Sequence, residues 1–257
     1  MVRAMLKTRV IPSLLLRGAG LVKTTRFKDP KYIGDPINAI KIFNDKEVDE
    51  LVLLDITASR EGRGPAYSVI EEVASECFMP LAYGGGIRSV EEARRIFKLG
   101  VEKVVFNTTA WRDPSVLVQA SREFGAQAVV ASMDVRRKMF GRYEVFVEGG
   151  TRGTGIDAVD YARRMESGGA GEILLTSIDR DGTMKGYELE LVAKVTAAVG
   201  IPVIAAGGAG SVHDFGVAIR QGGANAVAAG AMFVFHGPHR AVLITYPGRE
   251  ELERVLA

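Results

Sequence analysis

Along the chain, short runs of β-branched and apolar residues alternate with longer stretches in which apolar positions recur every three or four residues. The runs predict strands beginning at Arg9, Leu51, Leu81, Lys103, Ala128, Glu172, Val203 and Ala226. Helical spacing fills the intervals over 36–46, 67–77, 90–99, 114–124, 157–167, 188–198 and 212–221, and a last helix fits 248–256. Strands that are apolar at nearly every position need cover on both faces, so the alternation implies a parallel sheet with crossover helices. Local signals mark helix starts: Asp35-Pro36 and Asp113-Pro114 place a capping carboxylate before a proline, and Ser89 with Glu92 has the spacing of a capping box. The one insertion that stands out is Arg136 to Thr151, whose alternating apolar residues suggest a small hairpin after the fifth strand.

The chain also repeats itself. ELVLLDITASREG (50–62) resembles EILLTSIDRDG (172–182), YGGGIRS (83–89) resembles AAGGAGS (205–211), and VIPSLLLR (10–17) resembles VVASMDVR (129–136). All three pairs are separated by about 120 residues, the mark of a duplicated unit. Two four-strand halves closing on each other make a (β/α)8 TIM barrel spanning 1–257 as a single domain. A doubly wound open sheet is the alternative arrangement, but it does not predict the repeat.

In a (β/α)8 barrel, functional groups lie at the C-terminal ends of strands and in the loops beyond them. That rule selects Leu15, Asp55, Gly84 to Gly86, Asn107, Thr108, Asp134, Thr176, Ser177, Gly207, Gly208 and Gly230. Glycine clusters before a helix let backbone N–H groups approach an oxyanion. Two clusters at repeat-related positions, Gly85-Gly86 with Asn107 and Thr108, and Gly207-Gly208 with Gly230, predict a ligand with phosphate-like groups at both ends. Asp134 ends the fifth strand and is a candidate general acid or base, or else a partner of Arg136 or Arg137. Asp55 is a ligand contact or a loop contact. Asp181 and Gly182, in DRDGT, either meet the ligand or shape a turn.

The remaining composition narrows the function classes. The 33 basic and 31 acidic residues are interspersed and leave a net charge of +2, which gives no footprint for nucleic acid or a membrane surface. No apolar run of membrane-spanning length occurs, and the N-terminal MVRAMLKTRVIPSLLL lacks a small-residue cleavage site and reads as leading into the first strand. A lone cysteine, Cys77, is expected to be structural and makes a cytoplasmic location the default. His213, His236 and His239 have no metal-ligand spacing and are expected at the surface or as helix caps; Trp111 and Tyr187 are expected to pack or to stand at the rim rather than to serve as cofactor platforms. No metal and no cofactor is implied.

The segments DELVLLDITAS, YGGGIRSVEEA, GAGEILLTSIDRDGT and IPVIAAGGAG resemble the cyclase subunit of imidazole glycerol phosphate synthase over about residues 5–235. The resemblance implies an enzyme that takes ammonia from a glutaminase partner at the N-terminal face of the barrel. It passes the ammonia through the barrel to a bis-phosphorylated ribonucleotide at the top, where aspartates of strands one and five act as acid and base. The strand-five aspartate matches Asp134, and Lys23 matches an active-site lysine. The strand-one aspartate position holds Leu15, and serines usual in the family are replaced by Ala206 and Gly230. Four charged residues ringing the family's ammonia entrance match Arg9, Glu50, Lys103 and Glu172, all of the expected type.

A paralogous group is closer still, through the Leu14-Leu15-Leu16 stretch before Gly20-Leu21-Val22-Lys23. That group is associated with surface-polysaccharide (lipopolysaccharide) biosynthesis, with a glutaminase and a sugar amidotransferase that turns an N-acetyl into an acetamidino group. The resemblance therefore implies an ammonia-channelling synthase subunit acting in nucleotide-sugar amidination. The alternatives are a true histidine-pathway cyclase with a displaced acid and a non-catalytic scaffold that activates its glutaminase.

Overall fold

The computed structural model describes residues 8–256; the start of the chain before Thr8 lies outside the described residues. Eight parallel strands form the barrel: β1 (Arg9–Arg17), β2 (Leu51–Asp55), β3 (Leu81–Gly84), β4 (Lys103–Phe106), β5 (Val129–Arg137), β6 (Glu172–Ser177), β7 (Val203–Ala206) and β8 (Ala226–Ala229). Each pairs with the next in register, β8 pairs with β1, and no barrel edge is left open. This is the (β/α)8 architecture that the repeat predicts. Both half-barrels begin with a nine-residue strand, β1 and β5, and continue with shorter ones.

Helices α1 (Pro36–Asp45), α2 (Tyr67–Glu76), α3 (Val90–Lys98), α4 (Pro114–Phe124), α5 (Ala158–Ser167), α6 (Leu189–Thr196), α7 (Val212–Arg220) and α8 (Arg249–Leu256) surround the barrel. Asp35 accepts from the amides of Ile37 and Asn38, and Asp113 from that of Ser115, as their Asp-Pro pairs predict. The box at Ser89 is displaced by one residue. Ser89 caps the amide of Glu92, but the Glu92 carboxylate returns to the amide of Arg88, which ties the β3 loop to the helix. The complete reciprocal box belongs to Ser211 and Asp214, at the start of α7.

Two apolar shells hold the barrel. Outward-facing strand residues such as Val10, Leu53, Tyr83 and Phe106 pack under the helices. The inward-facing residues Ile11, Val52, Ala82, Val105, Val130, Leu174, Ile204 and Ala228 fill the tube. The alternation of side chains along a strand separates the two sets. It also corrects one expectation: Thr176 faces the mouth, whereas Ser177 is buried outside it.

Two hairpins rise from the top. The one expected after β5 forms, with Tyr143–Val147 antiparallel to β5 and Arg152–Asp157 beyond it. The reading that it was the sole insertion is wrong, because a second hairpin follows β1, made of Gly20–Thr25 and Lys28–Gly34. Its outer strand is exposed at five of seven positions, so it has no apolar run to announce it. The fifth strand also begins at Val129 rather than Ala128, which closes a short 3-10 turn.

The first hairpin lies tightly on the β6 loop. The amide of Arg26 donates to the carbonyl of Asp181 at 2.8 Å. Gly182 has φ +68°, and a Cβ there would stand 2.1 Å from the Thr24 carbonyl oxygen. Gly182→Ala is therefore expected to destabilise the protein by about 2–4 kcal/mol through strain and a lifted hairpin. Urea unfolding measures this, and a loss below about 0.5 kcal/mol would mean that the hairpin is not held there.

Candidate active site at the barrel mouth

The floor of the barrel is a closed ring of charge. Arg9, Lys103 and Glu172 open β1, β4 and β6, and Glu50 immediately precedes β2. Arg9 pairs with both Glu50 and Glu172. Lys103 Nζ lies 2.9 Å from Glu50 and 3.0 Å from Glu172. Glu50 and Glu172 are only 2% and 6% exposed, so each carboxylate is out of water with two cations beside it. Burial works against the charge on Arg9, but Glu172 and Glu50 outweigh it and hold the guanidinium above its ordinary value. Removing one member would strand a buried charge, at a cost of about 3–5 kcal/mol.

Above the ring the tube is apolar, and above that it opens into a cavity that is continuous with solvent. The structure brings to this one cavity Lys23, Asp55, Gly85, Gly86, Asn107, Thr108, Asp134, Thr176, Asp181, Gly182, Gly207, Gly208 and Gly230. Sequence reasoning missed Ser13, Ser132 and Arg60, which also line it. Ser13 and Ser132 were recoverable by stepping back two residues from Leu15 and Asp134 along their strands.

The two walls of the mouth differ. On one, Leu15 of β1 lies in register with Leu54 of β2. On the other, Asp134 of β5 lies in register with Thr176 of β6. These are repeat-related positions, so one half presents hydrocarbon where the other presents a carboxyl and a hydroxyl. Asp134 accepts from Asn107 Nδ2 at 3.1 Å and, among the described residues, has no arginine partner; Arg136 and Arg137 pair with Asp179 and Glu190. Burial first, and then the charge of Asp181, raise the Asp134 carboxyl to about 7, with the Asn107 hydrogen bond opposing. A carboxyl near neutrality can both give and take a proton.

Asp181 is held by Lys23 Nζ at 3.1 Å and by Thr24 Oγ1 at 3.0 Å, both on the first hairpin. Lys23 Nζ lies against Gly230, where a Cβ would stand 2.9 Å from it. Asp55 is committed to its own loop: Oδ1 accepts from the amides of Thr57 and Ala58 at 3.0 Å, and Oδ2 faces Arg63 at 3.4 Å.

All four glycines of the two clusters have positive φ, and a Cβ on any of them would strike a neighbouring backbone. Gly85 and Gly86 have φ +123° and +72°, and Gly207 and Gly208 have φ +84° and +120°. Short helices not foreseen from the sequence, Thr108–Arg112 and Ala231–Val234, begin beside Asn107 and Gly230. Their first amides add donors at each end of the mouth.

Other residues fall where expected. The three histidines are exposed, Trp111 is covered by the Arg152 guanidinium, and Tyr187 is buried with its hydroxyl donating to the Ala228 carbonyl. Burial pushes the Cys77 thiol up. Among the described residues, no cluster of three or more His, Cys, Asp or Glu could hold a metal, and no helix is long and apolar enough to cross a membrane.

An eight-stranded barrel with a charged floor and glycine-lined mouth defines the class, and comparison with known proteins gives the family: the chain belongs to the histidine biosynthesis protein family, whose model matches residues 9–238. Within it, the chain is similar to HisF-type cyclase subunits. It is 54% identical over 249 residues to the "Putative imidazole glycerol phosphate synthase subunit hisF2" of Pseudomonas aeruginosa, covering 97% of this chain and 99% of that one. It is 48% identical to the "Putative imidazole glycerol phosphate synthase subunit hisF3" of Vibrio vulnificus (98% and 97% covered). It is 50% identical to the imidazole glycerol phosphate synthase subunit HisF of Alkaliphilus metalliredigens (90% and 92% covered).

Because Asp134 is neutral more readily in the fold than in the unfolded chain, the native state holds its proton to higher pH. Wild-type stability should therefore fall, relative to Asp134→Asn, as pH rises from about 4 to about 7, then hold a constant offset. Thermal melts across that range measure the offset; a difference independent of pH would contradict the assignment.

Proposed function

We propose that the chain is the ammonia-accepting synthase subunit of a glutamine amidotransferase complex, with lyase-type chemistry at the mouth. In this reading a glutaminase docks on the N-terminal face, and Arg9, Glu50, Lys103 and Glu172 gate the passage of ammonia into the tube. The apolar layer above favours neutral ammonia over the ammonium ion, since desolvating a charge is costly. The glycine clusters with Asn107, Thr108 and Gly230 hold an acceptor with anionic groups at both ends. Asp134 moves the proton, with Thr176 beside it. Lys23 and Asp181 keep the first hairpin over the ligand.

The observation that carries the finer reading is the contrast between the two ends of the barrel. All four ring members are paired at the floor, while Leu15 presents hydrocarbon opposite Asp134 at the mouth. Leucine transfers no proton. A single missing acid–base group lowers a rate by roughly 10²–10⁴. Together with the resemblance of the first strand to the paralogous group, this supports a nucleotide sugar undergoing amidination as the acceptor, with a sugar amidotransferase as a further partner, rather than the histidine-pathway ribonucleotide. Asp134, poised near neutrality, favours the second reading, a working histidine-pathway cyclase, over a purely scaffolding role.

Turnover of the bis-phosphorylated ribonucleotide at high ammonium concentration separates these readings. The purified, folded wild type should turn it over at least about a hundredfold more slowly than Leu15→Asp. Robust wild-type turnover would establish the histidine-pathway activity and defeat the altered-acceptor reading.

A further inference from the structure

We infer that Arg60 is a specificity-determining residue that grips the anionic group at the Gly85-Gly86 end of the mouth, so that the two ends of the ligand are recognised unequally. The inference rests on the two-anion reading of the mouth. Its ground is the state of the nearby cations. Lys23 is bound by Asp181, Arg63 by Asp55 and Glu61, and Arg88 by Glu92. Arg60 lines the same cavity and, among the described residues, has no carboxylate within ion-pair distance.

The side chain is placed from two directions. Its loop packs on the anion loop, since a Cβ on Gly86 would stand 2.8 Å from the Arg63 carbonyl and 3.0 Å from Ala58 Cβ. Its aliphatic stem lies on the second hairpin, where a Cβ on Gly149 would stand 3.2 Å from Arg60 Cδ. That hairpin is itself fixed to the β4 loop, because the Glu148 amide donates to Thr108 Oγ1 at 3.0 Å. Arg60 thus lines the mouth on the side that carries Gly86 and Thr108.

The repeat-related position at the other end has no side chain to match it. Gly182 occupies the related position in the second half, and the Thr24 carbonyl fills the space a side chain would need. That end has Lys23 and Asp181 instead. A free guanidinium offers a planar fork of donors suited to phosphate oxygens, which a lysine does not reproduce.

Titration of the full chain with inorganic phosphate, followed at the backbone amides of Gly85, Gly86, Gly207 and Gly208, tests this. Arg60→Gln should weaken phosphate at Gly85-Gly86 by about tenfold or more and leave Gly207-Gly208 within about twofold. Arg60→Lys should fall between the two. Unchanged affinity at Gly85-Gly86 in Arg60→Gln, or equal loss at both ends, would overturn the assignment while leaving the two-anion reading intact. Wild-type protein in which neither glycine pair responds to phosphate would remove that reading and this inference with it.

Discussion

The two carboxylates at the floor of the barrel can leave water only because Arg9 and Lys103 stand between them. A buried carboxylate without a cation takes up a proton or unfolds its surroundings; here Glu50 and Glu172 each have two. The ring carries equal numbers of positive and negative groups, so it closes the tube without leaving net charge beneath the apolar layer. Its members come from strands distributed around the barrel, β1, β4 and β6 with the residue before β2, and the pairing is possible only when the barrel is closed and in register. The same register places Asp134 beside Thr176 and Leu15 beside Leu54 at the other end. Floor and mouth are therefore two consequences of one set of strand pairings.

Duplication gives the mouth its symmetry, and the departures from symmetry give it chemistry. Each half supplies a long strand, a hairpin and a glycine cluster. The hairpins meet over the mouth, where Phe27 of the first lies against Gly150 of the second. Yet the first hairpin is bolted to the β6 loop through Lys23, Thr24 and Asp181, while the second rests on the β2 loop through the stem of Arg60. In the proposed function, one wall orients an acceptor and moves its proton, and the opposite hydrocarbon wall shapes which acceptor fits.

Much of this was legible in the sequence, because the barrel's signals are periodic. Seven of the eight strand starts coincide with the structure, and the eighth differs by one residue. The ring of Arg9, Glu50, Lys103 and Glu172 was expected from the family resemblance, and the strand starts agree with it. What escaped was structure without an apolar period: the exposed hairpin after β1, the short helices at Thr108 and Ala231, and the displacement of the Glu92 bond to Arg88. Ser177 was misassigned because a strand's end marks a region but not a face; alternation from Asp134 and Thr176 resolves it. The commitment of Asp55 to its own loop, and the freedom of Arg60 beside it, depend on contacts between loops and have no signature in one dimension.

If the ring and the apolar tube pass ammonia to an altered acceptor, as proposed, the nitrogen of the product comes from glutamine rather than from solution. Nitrogen can be followed in a reconstituted reaction with the glutaminase, the sugar amidotransferase, an N-acetylated nucleotide sugar and ATP to activate the departing amide oxygen as phosphate, using amide-15N glutamine against excess unlabelled ammonium. The acetamidino group should then carry 15N, with the label falling toward the bulk ratio when Glu50→Lys breaks the ring. Product nitrogen that matches bulk ammonium in the wild type would contradict the proposal.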